Sequence, residues 1–132
     1  LLIDAHSMPS PAGAGIRSGP PGTAAQLVLG DCHGSACHPA ITEAAHEFLA
    51  RAGFRVALNT PYSGGHTTRH YGRPRTGVHA LQIEVARSLY MDERRLARRP
   101  EMADVAAVLA ALTVRLAEVA HERLGGTLRA AE

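Results

Sequence analysis

Glu84 is the residue of this sequence that most needs an explanation. It sits in the run Leu81, Gln82, Ile83, Glu84, Val85, and an unpaired carboxylate in so apolar a stretch costs free energy unless something holds or uses its charge. At the opposite end of the chain, LLIDAHS (residues 1–7) is a second apolar run that ends on Asp4, His6 and Ser7. A histidine leaving a strand offers a neutral imidazole nitrogen to a metal, and a carboxylate two residues away can orient it. The two strand ends are therefore expected to meet at a metal site. In that reading His6 is a ligand, Asp4 and Ser7 support it, and Glu84 is a general base whose apolar wall raises its proton affinity. The bland alternatives are an Asp4–His6 pair with no metal, and a Glu84 that pairs with Arg87 or faces solvent. Alternation puts Gln82 and Glu84 on one face and Leu81, Ile83 and Val85 on the other, which does not decide between them.

Between those runs lies TPYSGGHTTRHYGRPRTG, residues 60–77, more polar chemistry than a connection needs. Arg69 and Arg73 are fork-shaped donors suited to carboxylates, Tyr71 adds a phenol, and Asn59 stands just before the loop. Gly64, Gly65 and Gly72 would let backbone come close to a small ligand. The alternative is a solvated charged loop. The segment GDCHGSACH, residues 30–38, holds Cys32, His33, Cys37 and His38, but their spacing fits no familiar C-x-x-C site. Asp31 and the glycines there are expected to shape a pocket wall instead, and His46 and His121 to be ordinary helical residues.

The elements that must carry these groups follow from apolar patterning. Strands are expected over Leu1–Ala5, Gln26–Leu29, Phe54–Leu58 and His79–Val85. A helix starts at Pro39, carries Ile41, Ala45, Phe48, Leu49 and Ala52 on one face, and stops at Gly53. The chain turns helical near Arg87, and ERRLARRP reads as a polar connection. Pro100 opens a last helix with Met102, Val105, Leu109, Leu112, Leu116 and Val119 on one stripe, stopped by Gly125 and Gly126. Met8 to Thr23 is too rich in proline and glycine for a regular element. The order predicts an α/β domain, a mixed sheet covered by helices. Ligands collect at the carboxyl ends of strands in such sheets, and His6, Asp31 and Asn59 all stand at such ends.

With 132 residues and 45% hydrophobic content, the chain is expected to be a single domain over residues 1–132. Its 14 basic residues, all arginine, nearly balance 12 acidic ones for a net charge of +2, which gives no electrostatic case for nucleic acid. No apolar run is long enough for a membrane span and no signal segment opens the chain. Two cysteines make no disulfide framework, so a reduced, cytoplasmic setting is expected. The chain begins without Met inside an apparent core strand, which predicts that it is the C-terminal part of a longer protein.

DAHS, GDCHGSAC, NTPYSGGHTTRHYGRP and GVHALQIEVARSLYMDE, in that order from Leu1 to Glu93, resemble the N-formylglutamate amidohydrolase (N-formylglutamate deformylase) family. The resemblance implies a fold similar to zinc-dependent carboxypeptidases and exopeptidases. It implies hydrolysis of N-formyl-L-glutamate to glutamate and formate, a late step of histidine breakdown in some bacteria. Position by position, it implies that His6 is a zinc ligand and Glu84 the general base. It places Arg69, Tyr71 and Arg73 in the loop that lines the substrate site, with Asn59 nearby. The partner would be a small N-formyl amino acid with a carboxylate side chain; a homo-oligomer is compatible with the reading. The family's other zinc ligands, a histidine and an acidic residue, are expected upstream of DAHS, so the ligand set in this chain is incomplete. A fragment, a split subunit and a defunct enzyme all fit that absence. Two rivals stay open: a related zinc amidohydrolase for another N-acyl amino acid, and an inactive truncated domain that binds a carboxylate.

Overall fold

Strands form here where apolar residues alternate or run together; three of them extend past their expected carboxyl ends, while the third in chain order is shorter than the expected Phe54–Leu58. The computed structural model describes residues 1–10 and 24–124. The first strand, β1, spans Leu2–Met8, so Asp4 and His6 lie within it rather than at its end. Next come β2 at Leu27–Gly30, helix α1 at Pro39–Arg51 and β3 at Val56–Leu58. Residues 60–77, read as irregular, contain a six-residue helix, α2, at His66–Tyr71 and a short 3-10 turn at Pro74–Thr76. Strand β4 is Ala80–Ala86, followed by a 3-10 turn at Arg87–Leu89. The polar connection hides a two-residue-a-side hairpin, β5 at Met91–Asp92 and β6 at Ala97–Arg98, before α3 at Met102–Leu124. Most of the expected Met8–Thr23 loop and the Gly125–Gly126 stop lie outside the described residues.

The main sheet has the order β1-β4-β2-β3. β1 runs parallel to β4 and β3 parallel to β2, while β2 is antiparallel to β4. The sheet is therefore mixed, as expected, but its two halves point in opposite directions. That corrects one expectation: Asp31 and Asn59 do follow the carboxyl ends of β2 and β3, yet those ends lie at the opposite end of the sheet from the carboxyl end of β1, and His6 lies inside β1.

The two faces of the sheet are built differently. On one, Leu27, Leu29, Leu81, Ile83 and Val85 meet Ile41, Ala45 and Leu49 of α1 and Val105, Leu112, Leu116 and Val119 of α3 in a single core. Alternation sends Asp4, His6, Gln82 and Glu84 to the other face. There a smaller apolar cluster of Met8, Val28 and Ala86, backed by Tyr62 and Ala57, sits beside them.

Candidate active site

Parallel pairing of β1 with β4 puts His6 opposite Glu84 and Asp4 opposite Gln82. Because register partners share a face, all four polar side chains stand side by side. They are joined by hydrogen bonds. His6 Nε2 and Asp4 Oδ1 are 2.9 Å apart, and Thr68 Oγ1 of α2 donates to Asp4 Oδ2 at 3.1 Å. Gln82 Nε2 donates to Glu84 Oε1 at 2.9 Å, and Gln82 Oε1 accepts from the Gly65 backbone N–H at 2.6 Å.

A cleft of about 330 Å³ opens at this point, lined by His6, Gln82 and Glu84 from the sheet and by residues 61–65 from the loop. The loop lies flat on the sheet. Cys32 N donates to Ser63 O at 2.6 Å, and a Cβ on Gly30 would come within 2.7 Å of Gly64 N and Ser63 C. Gly64 itself has φ +126, and a Cβ there would meet Cys32 Sγ at 2.7 Å. The glycines thus let two stretches of backbone touch, a use the sequence reading assigned to a ligand instead.

Glu84 is buried, with 7% of its surface exposed. Burial pushes its carboxyl above the usual range; the His6 ring opposes that shift, the Asp4 carboxylate adds to it, and Arg87 opposes it. A carboxylate with raised proton affinity at the wall of a cleft suits proton transfer to and from a bound molecule. The hydrogen-bond partner of Glu84 is Gln82, not Arg87.

Comparison with known proteins places the chain in a family. The family model for N-formylglutamate amidohydrolase matches residues 1–91. N-formylglutamate deformylase from Pseudomonas aeruginosa is 41% identical over 99 residues, and its counterpart from Pseudomonas putida 41% over 98. The chain belongs to the N-formylglutamate amidohydrolase family. In structure it is similar to the N-formylglutamate amidohydrolase from Ralstonia eutropha JMP134, with a TM-score of 0.81 and 35% identity over 91% of this chain and 43% of that one. The two Pseudomonas matches take in 71% and 70% of this chain, which spans about a third (34%) of each of those curated relatives.

Metal chemistry in a hydrolase of this family would need more ligands than these residues offer. Among the described residues no three His, Cys, Asp or Glu side chains converge as a metal site. His6, half-exposed at the cleft, fits as one ligand, whereas a catalytic zinc ordinarily takes three protein ligands and a water. The described part of the chain therefore does not complete such a site by itself.

Other residues expected at the family's site stand further off. Ser7, one position along β1 from His6, falls on the opposite face and is exposed. Asp31 and Asn59 brace each other: Asn59 Nδ2 donates to Asp31 Oδ1 at 2.9 Å, Asp31 N donates to Asn59 Oδ1 at 3.1 Å, and Thr42 Oγ1 donates to Asp31 Oδ2 at 3.0 Å. They hold the turn after β2, where Cys32 and His33 both take positive φ. Arg69 is at the rim, its Nη2 donating to the carbonyl of cleft-lining Gly64 at 3.3 Å. Tyr71 is 51% exposed, and Arg73 is exposed with its backbone bridged to Val78; neither lines the cleft.

Within the cysteine–histidine segment, Cys37 and His38 have structural roles. Cys37 is fully buried, and burial pushes its thiol up to about 11, the wrong direction for a nucleophile. His38 caps α1, its Nδ1 accepting from Ala40 N at 3.2 Å, while its own N–H donates to Nδ1 of buried His79 at 3.2 Å. The residues that sequence reasoning passed over are Gln82, Thr68, Tyr62 and Ser63. For Gln82 a signal existed, since it shares a face with Glu84; for the loop residues none did.

Proposed function

We propose that this chain contributes the general base and one metal ligand to an enzyme that hydrolyses the formamide bond of N-formyl-L-glutamate, giving L-glutamate and formate. One observation carries the reading: His6 and Glu84, far apart in the sequence and brought into register, line a single cleft in a member of this family. The family relation, the acid with raised proton affinity and the imidazole beside it support the proposal together. In this reading His6 would hold a zinc ion with ligands from outside the described residues, and the fold is one unit of a larger carboxypeptidase-like enzyme. When bound, zinc would supply Lewis acidity toward the water and the formyl carbonyl.

Glu84 takes a proton from water as the water oxygen bonds to the formyl carbon, and the C–N bond then breaks as the same carboxyl returns that proton to the departing amine. The apolar strand around Glu84 makes both halves accessible by raising its proton affinity. Asp4, hydrogen-bonded to His6 and anchored by Thr68, fixes the imidazole's direction. Arg69 at the rim is the side chain best placed to meet a substrate carboxylate. The proposal extends to a place in histidine breakdown in the cytoplasm, where the free Cys32 and Cys37 would stay reduced.

The test is turnover on a panel of N-formyl and N-acetyl forms of glutamate, aspartate and histidine by the assembled enzyme in which the remaining metal ligands join this chain, run alongside elemental analysis of that enzyme. Preferential release of formate from N-formylglutamate with near-stoichiometric zinc supports the proposal. Preference for another N-acyl amino acid moves the enzyme to a sister activity, and carboxylate binding with neither metal nor turnover leaves a binding domain.

A further inference from the structure

We infer that Gln82 is a positioning residue whose side-chain amide clamps the Glu84 carboxylate to the cleft loop; the inference rests on Glu84 being the base of the proposed reaction. Gln82 is 4% exposed and has a partner on each side. The Gly65 N–H can only donate, so the atom of Gln82 that meets it at 2.6 Å must be the carbonyl oxygen. That fixes the amide's orientation without ambiguity, and its NH₂ group is then aimed at Glu84 Oε1, 2.9 Å away. Thr68, fully buried, adds a second contact to the same oxygen at 3.5 Å, but its one hydroxyl proton goes to Asp4 at the shorter 3.1 Å.

The consequence is chemical. An amide NH₂ stabilises a carboxylate oxygen that accepts, so Gln82 holds Oε1 as an acceptor and leaves Oε2 to exchange a proton with a molecule in the cleft. One side chain also sets two distances at once. Its NH₂ fixes the Glu84 carboxylate and its carbonyl oxygen holds Gly65, so the loop wall of the cleft and the proton acceptor are referred to one amide and cannot drift apart. Such a group acts through Glu84 and not on the substrate, and losing it misplaces the base without removing it.

The experiment combines turnover with amide hydrogen exchange in the purified protein. Gln82→Met preserves volume and removes both hydrogen bonds; Gln82→Glu keeps an oxygen for Gly65 but replaces the amide donor by a carboxyl that shares a proton with Glu84, which perturbs the base without releasing the loop. In Q82M the Gly65 amide should exchange at least tenfold faster, and kcat should fall about 10- to 100-fold, the size expected for a misplaced reacting group, with KM changed less than threefold. In Q82E the Gly65 amide should keep its protection while kcat still falls tenfold or more, a split that a merely structural role would not produce. Unchanged Gly65 exchange in Q82M, or a Q82E kcat within threefold of the parent, overturns the inference. A parent without turnover on N-formylglutamate would refute the substrate reading and not the clamp, which Gly65 exchange in Q82M then decides. Should Q82M fail to fold, Gln82→Leu, which also lacks both hydrogen bonds, takes its place with the same Gly65 exchange and kcat readouts.

Discussion

The two faces of one sheet solve different problems with the same four strands. Toward α1 and α3, β4 presents Leu81, Ile83 and Val85 to a core whose central residues Leu112 and Leu116 have no exposed surface. Toward α2 and the loop at 61–65, the same strand presents Gln82 and Glu84, whose side chains are held by directed hydrogen bonds beside a smaller apolar cluster. Volume holds the first face together; partner identity holds the second. The difference teaches that a buried polar face can be as well specified as a core, provided each donor meets an acceptor: among the described residues no buried side-chain nitrogen or oxygen lacks a partner.

The largest expected effect breaks the comparison on the polar face. Glu84→Gln is nearly isosteric, and it should cost about 10²–10⁴-fold in kcat/KM on N-formylglutamate, the usual worth of a general base. Its thermal midpoint should not fall. Activity close to the parent's would remove Glu84 from the reaction.

The mirror experiment strikes the apolar face. Leu112→Ala should destabilise by about 2–5 kcal/mol through lost burial and a residual cavity. Denaturant unfolding measures that loss, while kcat per folded molecule stays within about threefold because the cleft is on the other side of the sheet. A large drop in kcat with little loss of stability would mean that the two faces are coupled.

Acidity and alkalinity should also separate the faces, with smaller effects. Glu84 has a raised carboxyl, so its contribution to stability is fully present below the ordinary carboxylate value of 4.5 and is lost as pH rises through the folded value. Unfolding curves for E84Q and the parent should therefore diverge in favour of E84Q as pH rises above 4.5. His79 has the opposite sign. Burial, then the neighbouring His38, lower its pKa from 6.5, so its contribution is present above 6.5 and is lost as pH falls through the folded value. His79→Gln should flatten the acid side of the stability profile.

The smallest effect belongs to the solvent side of the covering helix. Arg115 Nη1 and Glu118 Oε2 are 3.2 Å apart and largely exposed, and Arg115→Ala should change stability by less than about 0.5 kcal/mol. A larger value in low and high salt alike would point to packing by the arginine stem.

Much of the apolar face was legible in advance. The four strands, α1 with its Gly53 stop, and α3 each appear because burial imposes a period, and a period is visible in one dimension. Helix α2 was not legible because His66–Tyr71 is shorter than two turns and buries only Thr68. The β5–β6 hairpin escaped for the same reason, with two residues a side. At the site, the pairing of His6 with Glu84 could be proposed from chemistry, but Gln82 was left undecided between core and solvent. Arg69, Tyr71 and Arg73 attracted attention by their chemistry, and only Arg69 reaches the rim of the cleft.

By itself, the sequence determined which residues could carry the reaction and which segments would be strands or helices, since composition and periodicity record what each segment must bury. Strand direction and register were left to the tertiary structure, because they depend on pairings between residues up to about eighty positions apart. That choice put His6 beside Glu84, turned Asp31 and Asn59 toward the far end of the sheet, and made Gln82 the link between base and loop.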